Sequence, residues 1–135
     1  MANALYDHGR EGFLDGSIDW DTDNINCHLI DEADDTIDLA LDEDWADRAA
    51  AANVAESGNF TSKTVTAGTA DAADVTFSSV TGDTCESIDI KQDTGVDSTS
   101  RLICNIDTAT GLPVTPNGGD ITIQWDSGSD RIFTL

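Results

Sequence analysis

Asp19, Asp21 and Asp23 stand at alternate positions in a D-x-D-x-D run. Hard oxygen ligands spaced this way can converge on Ca²⁺, as they do where a helix-flanked calcium loop begins. The remainder of that pattern is missing. Asn24 occupies the position that needs glycine, and Ile30 the position that needs a bidentate glutamate. The expectation is therefore a solvated acidic loop, with Asp19, Asp21 and Asp23 kept as the chain's weak metal candidate. His8 and His28 are the only histidines, and no serine or threonine lies in a nucleophile-elbow pattern beside them. A triad needs a base held by a carboxylate next to a nucleophile, so both histidines read as surface or packed residues. Pairs such as Asp34-Asp35 have the composition of a glycosidase dyad, but carboxylate pairs arise by chance in so acidic a chain. Pro116-Asn117-Gly118-Gly119 reads as a hairpin turn, because neither the lysine nor the helix of a phosphate loop follows it. Asn59-Phe60-Thr61 is a glycosylation sequon that matters only where a glycosylation machinery is met. The reading is a non-enzyme with no catalytic residue, no cofactor-binding residue and no cofactor.

Charge is the strongest compositional feature. The 135 residues include 27 acids and 6 bases, a formal net charge of -21, and 22 of the acids are Asp. Such a charge repels itself and works against a compact state in dilute buffer. At molar salt the Debye length falls to about 3 Å and the repulsion is largely screened. This composition reads as halophilic. Disorder is disfavoured, because β-branched and aromatic residues recur in strand-like runs. Direct nucleic-acid binding is excluded as an expectation, since no stretch supplies a basic patch.

Cys27, Cys85 and Cys104 are odd in number and lack the close spacing of a zinc site. Each lies in an apolar-alternating run, so buried free thiols are expected. Cys85 and Cys104 form the pair that neighbouring strands would bring into contact. The opening residues show no positively charged start or apolar run, and no segment reaches the ~20 apolar residues of a membrane span. Synthesis in a host cytoplasm and no membrane partner are the expectations.

The elements that would carry these residues are short. Residues 3–14 have the pattern of a weak amphipathic helix ended by Gly16. Residues 24–31 alternate as a strand with Ile25, Cys27 and Leu29 on its core face. Residues 36–41 alternate as a further short strand. Residues 42–52 resemble a helix, with Asp42 as cap and Trp45 and Ala49 sharing a face. Beyond residue 53 the texture is Thr, Ser, Gly and Val, with strands expected near 54–56, 63–67, 74–80, 85–91, 101–107, 120–125 and 131–134. Gly68, Gly82-Asp83, Thr94-Gly95, Gly111 and Gly118-Gly119 mark the turns. Evenly spaced short strands without intervening helices predict a single mainly β domain over 1–135. Its form would be an antiparallel β-sandwich or jelly-roll-like barrel, with a short N-terminal helix and one further short helix. Trp20, Trp45 and Trp125 sit among apolar neighbours and are expected in the core.

The stretch from Ile106 to Thr122, with Gly111-Leu112-Pro113-Val114-Thr115-Pro116-Asn117-Gly118-Gly119-Asp120 at its centre, resembles a family of small virion structural proteins of tailed (head-tail) viruses. Val80-Thr81-Gly82-Asp83 and Asp93-Thr94-Gly95 are similar to the same family. So are the opening Met1 to Asp7, Ile18-Asp19-Trp20 and the closing Ile132-Phe133-Thr134-Leu135. The resemblance implies a particle component and supplies no catalytic residues. The excess acidity, and Asn26-Cys27-His28 in the first strand, depart from the family and fit a virus of halophilic archaea. The expected role is a capsid decoration or vertex (turret) protein in the virion. It would bind the major capsid protein or other virion proteins as a homo-oligomer, trimer or pentamer. A tail or head-tail connector component and a halophilic carbohydrate-binding module are the alternatives. Residues 61–73 and the 111–119 loop have the lowest charge density and are the expected contact surface.

Overall fold

Ile25, Cys27 and Leu29 face one way and Asn26, His28 and Ile30 the other, yet all six are buried. A strand covered on both sides needs two layers over it, and the computed structural model, which describes residues 3–135, supplies them. The central sheet has five antiparallel strands in the order β1-β8-β7-β2-β3. These are β1 (Ala4–Leu5), β8 (Leu102–Ile106), β7 (Ser87–Gln92), β2 (Ile25–Ile30) and β3 (Asn53–Glu56). Register places Cys27 opposite Ile90 and Ile90 opposite Cys104, so the three form one row of the core. His28, Asp89 and Asn105 form the matching row on the polar face.

Two smaller antiparallel sheets complete the molecule. One has the order β10-β5-β4, built from β10 (Phe133–Thr134), β5 (Thr69–Asp71) and β4 (Thr64–Thr66). The other pairs β6 (Val75–Phe77) with β9 (Ile121–Ile123). Ala70, Val75 and Phe77 are buried in the same core as Ile25, Ile88 and Ile90, which Ile121, Ile123 and Phe133 flank. The fold is mainly β and sandwich-like, as the alternation predicts. Helix α1 (Asp7–Asp15) packs on β8 through Gly9, where an added Cβ would lie 2.7 Å from the carbonyl oxygens of Leu102 and Ile103.

Four expectations need correction. The N-terminal helix begins at Asp7, not residue 3, because Ala4 and Leu5 pair with Asn105 and Cys104. Residues 36–41 form no strand: the Asp38 carboxylate accepts hydrogen bonds from the amides of Ala40 and Leu41, and this turn competes with extended pairing. Residues 42–52 form two 3₁₀ turns, Trp45–Asp47 and Ala50–Ala52, rather than one helix. Asp44 caps the first turn, and Arg48 takes extended backbone (φ -81°, ψ 129°), which interrupts any helix. Strand β5 was also missed by periodicity. It closes a hairpin with β4 across the two-residue turn Ala67-Gly68, both at positive φ (53° and 78°).

A turn with both central residues at positive φ matches strand twist but favours Gly, Asn or Asp at each position. Ala67 carries the left-handed penalty of an L-residue with a Cβ. Ala67→Gly should raise unfolding free energy by about 0.5–1 kcal/mol, the relief exceeding glycine's unfolded-state entropy. Chemical denaturation in high salt measures this, and a lower midpoint for the variant would contradict it.

Candidate functional site

Arg48 projects from the 31–52 segment onto the polar face of the central sheet, and its side chain is wholly buried. Its Nε donates to Asp89 Oδ2 at 3.0 Å and its Nη1 to Asp35 Oδ2 at 3.1 Å. Nη2 donates to both Tyr6 OH and Asp42 Oδ2 at 3.0 Å. Tyr6 OH donates to Asp89 Oδ1 at 2.6 Å, and Asn105 Nδ2 donates to the same oxygen at 2.9 Å. Burial and the neighbouring Asp89 push the Tyr6 phenol strongly upward. Burial likewise raises the Asp89 carboxyl above its ordinary range, opposed by Arg48 and by hydrogen bonds from Tyr6, Asn105 and Arg48. Burial disfavours the Arg48 charge, but Asp89, Tyr6 and Asp42 outweigh it and move its pKa up. Tyr, Asp, Arg and Asn together have the makings of a catalytic set. Tyr6 and Asp89 have no exposed surface and the Arg48 side chain has none, so the set is closed to solvent in this structure. The cluster is a latch.

A second cluster lies beside it. Trp45 stacks on His28 with ring centroids 3.7 Å apart and planes inclined by 19°. Lys91 Nζ sits 4.9 Å from the centre of the same ring. His28 Nδ1 meets Asn53 Oδ1 at 2.9 Å, while Nε2 is buried without a hydrogen bond, 3.8 Å from Glu56 Oε1. Burial lowers the His28 pKa to about 4, against the Asn53 bond that raises it, so the ring is neutral at pH 7. Trp45 therefore stacks on the polar face and is only partly buried, rather than lying in the core as expected. Trp20 is in the core, with its indole N–H donating to the Asp71 carbonyl oxygen at 3.1 Å. Trp125 donates to the Ala73 carbonyl oxygen at 3.1 Å and packs against the core. Trp125 is partly exposed and also lines the cleft described below.

The D-x-D-x-D run folds as a turn that consumes its own carboxylates. Asp23 Oδ2 accepts from the Asp19 amide at 2.8 Å and from Gln92 Nε2 at 2.7 Å. The closeness of Asp19 and Asp21 holds the Asp19 carboxyl below its ordinary range and raises that of Asp21. The structure thus joins Asp19 to Asp21 and turns Asp23 toward the strand end, without gathering all three around one point. The acidic oxygens that do converge belong to Asp31, Asp34 and Asp83, within 4.8 Å of one another. Sequence spacing gives no sign of this trio, because Asp83 arrives from a distant loop.

All three cysteines are free and buried. Burial pushes the Cys27 thiol up to about 12 and the Cys85 thiol up to about 11, so both remain protonated thiols at pH 7. Cys85 pairs in the backbone with Val114, whereas Cys104 lies opposite Ile90 and Leu5, so no ladder pairs Cys85 with Cys104 as expected, and Cys27 is the thiol in Cys104's row.

The remaining features are surfaces. A cleft of about 540 Å³ opens between the central sheet and the β6–β9 pair, reaching Leu29, Ile88, Ile106, Ile121 and Ile123. A groove of about 270 Å³ runs beside β4, lined by Phe13, Trp20, Val65, Phe133 and Leu135, with Asp19 its one charged lining side chain. Residues 57–70 contain no acid and a single base, Lys63. The Lys63 ammonium donates to the Asp23 carbonyl oxygen and to Asn59 Oδ1, so it braces a loop rather than projecting freely. In the 111–119 loop, Asn117 Oδ1 accepts from the Gly119 amide at 2.9 Å, and Gly118 N donates to the Val80 carbonyl oxygen at 2.8 Å. No family model and no curated protein sequence matches the chain. Among the described residues, no helix is long and apolar enough to cross a membrane.

Two predictions follow from the polar face. Arg48→Met should cost about 3–5 kcal/mol of stability, since it strands Asp89 in the interior. Adding Asp89→Asn, which removes the charge but keeps an acceptor for Tyr6 and Asn105, should recover more than half of that loss. Equal losses for the single and double variants in urea melts would contradict the latch. For His28 the folded pKa lies below the unfolded value of 6.5, so the unfolded chain binds the extra proton. Stability should be flat above pH 6.5 and fall by about 3 kcal/mol as pH drops toward 4. His28→Gln should flatten the decline between pH 6.5 and 5, and an unchanged slope there would rule His28 out as its source.

Proposed function

We propose that this chain is a structural component of a tailed-virus particle, acting as a capsid decoration or vertex protein on the head shell of a virus whose host lives in concentrated salt. The observation that carries the reading is the distribution of charge. A chain of net charge -21 leaves residues 57–70 without a single carboxylate, and β4 within that window is exposed. Acidic side chains keep most of the surface hydrated and mutually repelling, so a neutral, threonine-rich face is where another protein is approached at least electrostatic cost.

The buried chemistry supports the same reading. The most catalytic-looking residues are sealed under the 31–52 segment, and the Trp20 ring is buried in the core. Thr64, Thr66, Thr69 and Thr134 lie on one face of the β10-β5-β4 sheet with Asp71, whose charge is met by Arg131 at 3.6 Å, and the Thr69 and Thr134 hydroxyls are 2.9 Å apart. Together with the 111–119 loop this threonine face is the proposed contact with the major capsid protein or another virion protein, with the copies set as a trimer or pentamer around a shell axis. The resemblance of residues 106–122 to the tailed-virus family motivates the choice of a particle.

The test is a cryo-EM reconstruction of purified virions kept in high salt. Density for this chain on the head shell or its vertices is the expected result. Density confined to the tail would replace the decoration role with a connector role, and absence from the particle would overturn the proposal. Lys63 is a poor probe of the contact because its charge braces the fold. Thr66→Glu with Thr115→Glu adds two exposed carboxylates and should lower particle occupancy about tenfold. Undiminished occupancy would remove this face from the contact.

A further inference from the structure

Every sheet edge but one is guarded by an acid. β1 is followed by Asp7, β3 ends in Glu56, β6 is preceded by Asp74, β9 by Asp120, and Asp130 precedes β10. β4 is the described edge strand with no carboxylate within three residues on either side. Proteins blunt free edges with charge, proline, bulges or brevity, because an unpaired ladder recruits another strand. This chain carries 27 acids and places none in β4 or its flanking residues; the acid across the ladder, Asp71 opposite Thr64, lies 3.6 Å from the Arg131 guanidinium.

We infer that β4 is a self-pairing edge, joining two copies of this chain through an antiparallel β4–β4′ contact centred on Val65. Three features choose a second copy as the occupant. The first is backbone geometry. Thr66 and Thr69 flank the two-residue turn and exchange hydrogen bonds, so alternation along the ladder turns the N–H and C=O of Val65 outward. Two such edges related by a two-fold axis satisfy each other at Val65. The second is side-chain pattern. Val65 lies opposite Ala70, and Ala70 opposite Phe133, in a row that ends at the free edge with Val65 56% exposed. A second copy continues the row as Val65′, Ala70′ and Phe133′, and brings the two adjoining apolar grooves together. The third is charge. Two chains of -21 repel one another, and the neutral window is where they can touch with least repulsion.

The contact is small and two-fold, separate from any three- or five-fold ring contact. Its affinity on its own should be weak, with Kd on the order of 10–100 µM, and should tighten as salt screens the net charge. It deepens the particle reading by naming one partner. It is measured on purified protein, so its failure and the failure of the particle assignment are read from different experiments.

Sedimentation equilibrium in molar and in lower salt tests it, with far-UV circular dichroism as the folding control. The wild-type chain should approach twice its mass of 14.3 kDa in molar salt. Val65→Pro deletes only the outward N–H, leaves the β4–β5 ladder intact, and should abolish the dimer while the spectrum is unchanged. Val65→Asp sets like charges face to face across the two-fold axis, and decides the matter if the proline variant misfolds. A wild-type chain that stays monomeric at ~1 mM, well above that Kd, in molar salt overturns the inference. So does a dimer that survives either variant in folded form.

Discussion

Arg48 collects Asp89, Asp35, Asp42 and the Tyr6 hydroxyl around one guanidinium, and the polar side of the molecule depends on that convergence. The segment it anchors, residues 31–52, holds nine acids and one base. Its apolar residues, among them Ile37, Leu39, Trp45 and the buried Ala52, are set among that charge. The sheet's own row of His28, Asp89 and Asn105 would meanwhile be ruinous if bare, since buried polar groups need partners. Each side answers the other: the flap brings a cation and Trp45, and the sheet brings a carboxylate, an imidazole and a lysine. The central strands are thereby buried on both faces, although only one face is apolar. Removing one member of such a pair is far more costly than never having built it.

The same electrostatics organise the exterior. Carboxylates are absent from residues 57–70, where threonines and a short hairpin are exposed, and from residues 108–119. In dilute buffer the excess charge works against both folding and association, and in concentrated salt it works against neither. Tyr6, Arg48 and Asp89 are sealed from solvent, while the 57–70 stretch stays exposed and free of acids.

Much of this was legible in the residues, and the exceptions share a cause. Alternation located the strands around 24–31, 85–91 and 101–107 because their core faces are apolar in the ordinary way. The buried free cysteines and the packed Trp20 and Trp125 followed from the same runs. Residues 36–41 and 42–52 misled because their local patterns were overruled by side chain-to-backbone bonds from Asp38 and Asp44 and by the reach of Arg48 into the sheet. Neither the Arg48–Asp89 pair nor the Asp31, Asp34 and Asp83 trio can be seen in sequence spacing, since each joins distant segments. In a chain with 27 acids, no single carboxylate announces itself as the one that will be buried. The bare edge at β4 was visible as low charge density, but its meaning required knowing which strand lacks a neighbour.

Hydrogen exchange followed by mass spectrometry across a salt series tests most directly whether a screened, Arg48-latched flap underlies the fold. As salt falls from molar to ~10 mM the Debye length grows to about 30 Å, and repulsion within residues 31–52 is no longer screened. Amides that tie the flap down, including Asp31 to the Ala52 carbonyl oxygen and Leu102 to the Glu43 carbonyl oxygen, should then lose protection before β7 and the core of β8 do. Protection in 31–52 that is unchanged across the series, or strands that open before the flap, would contradict the account.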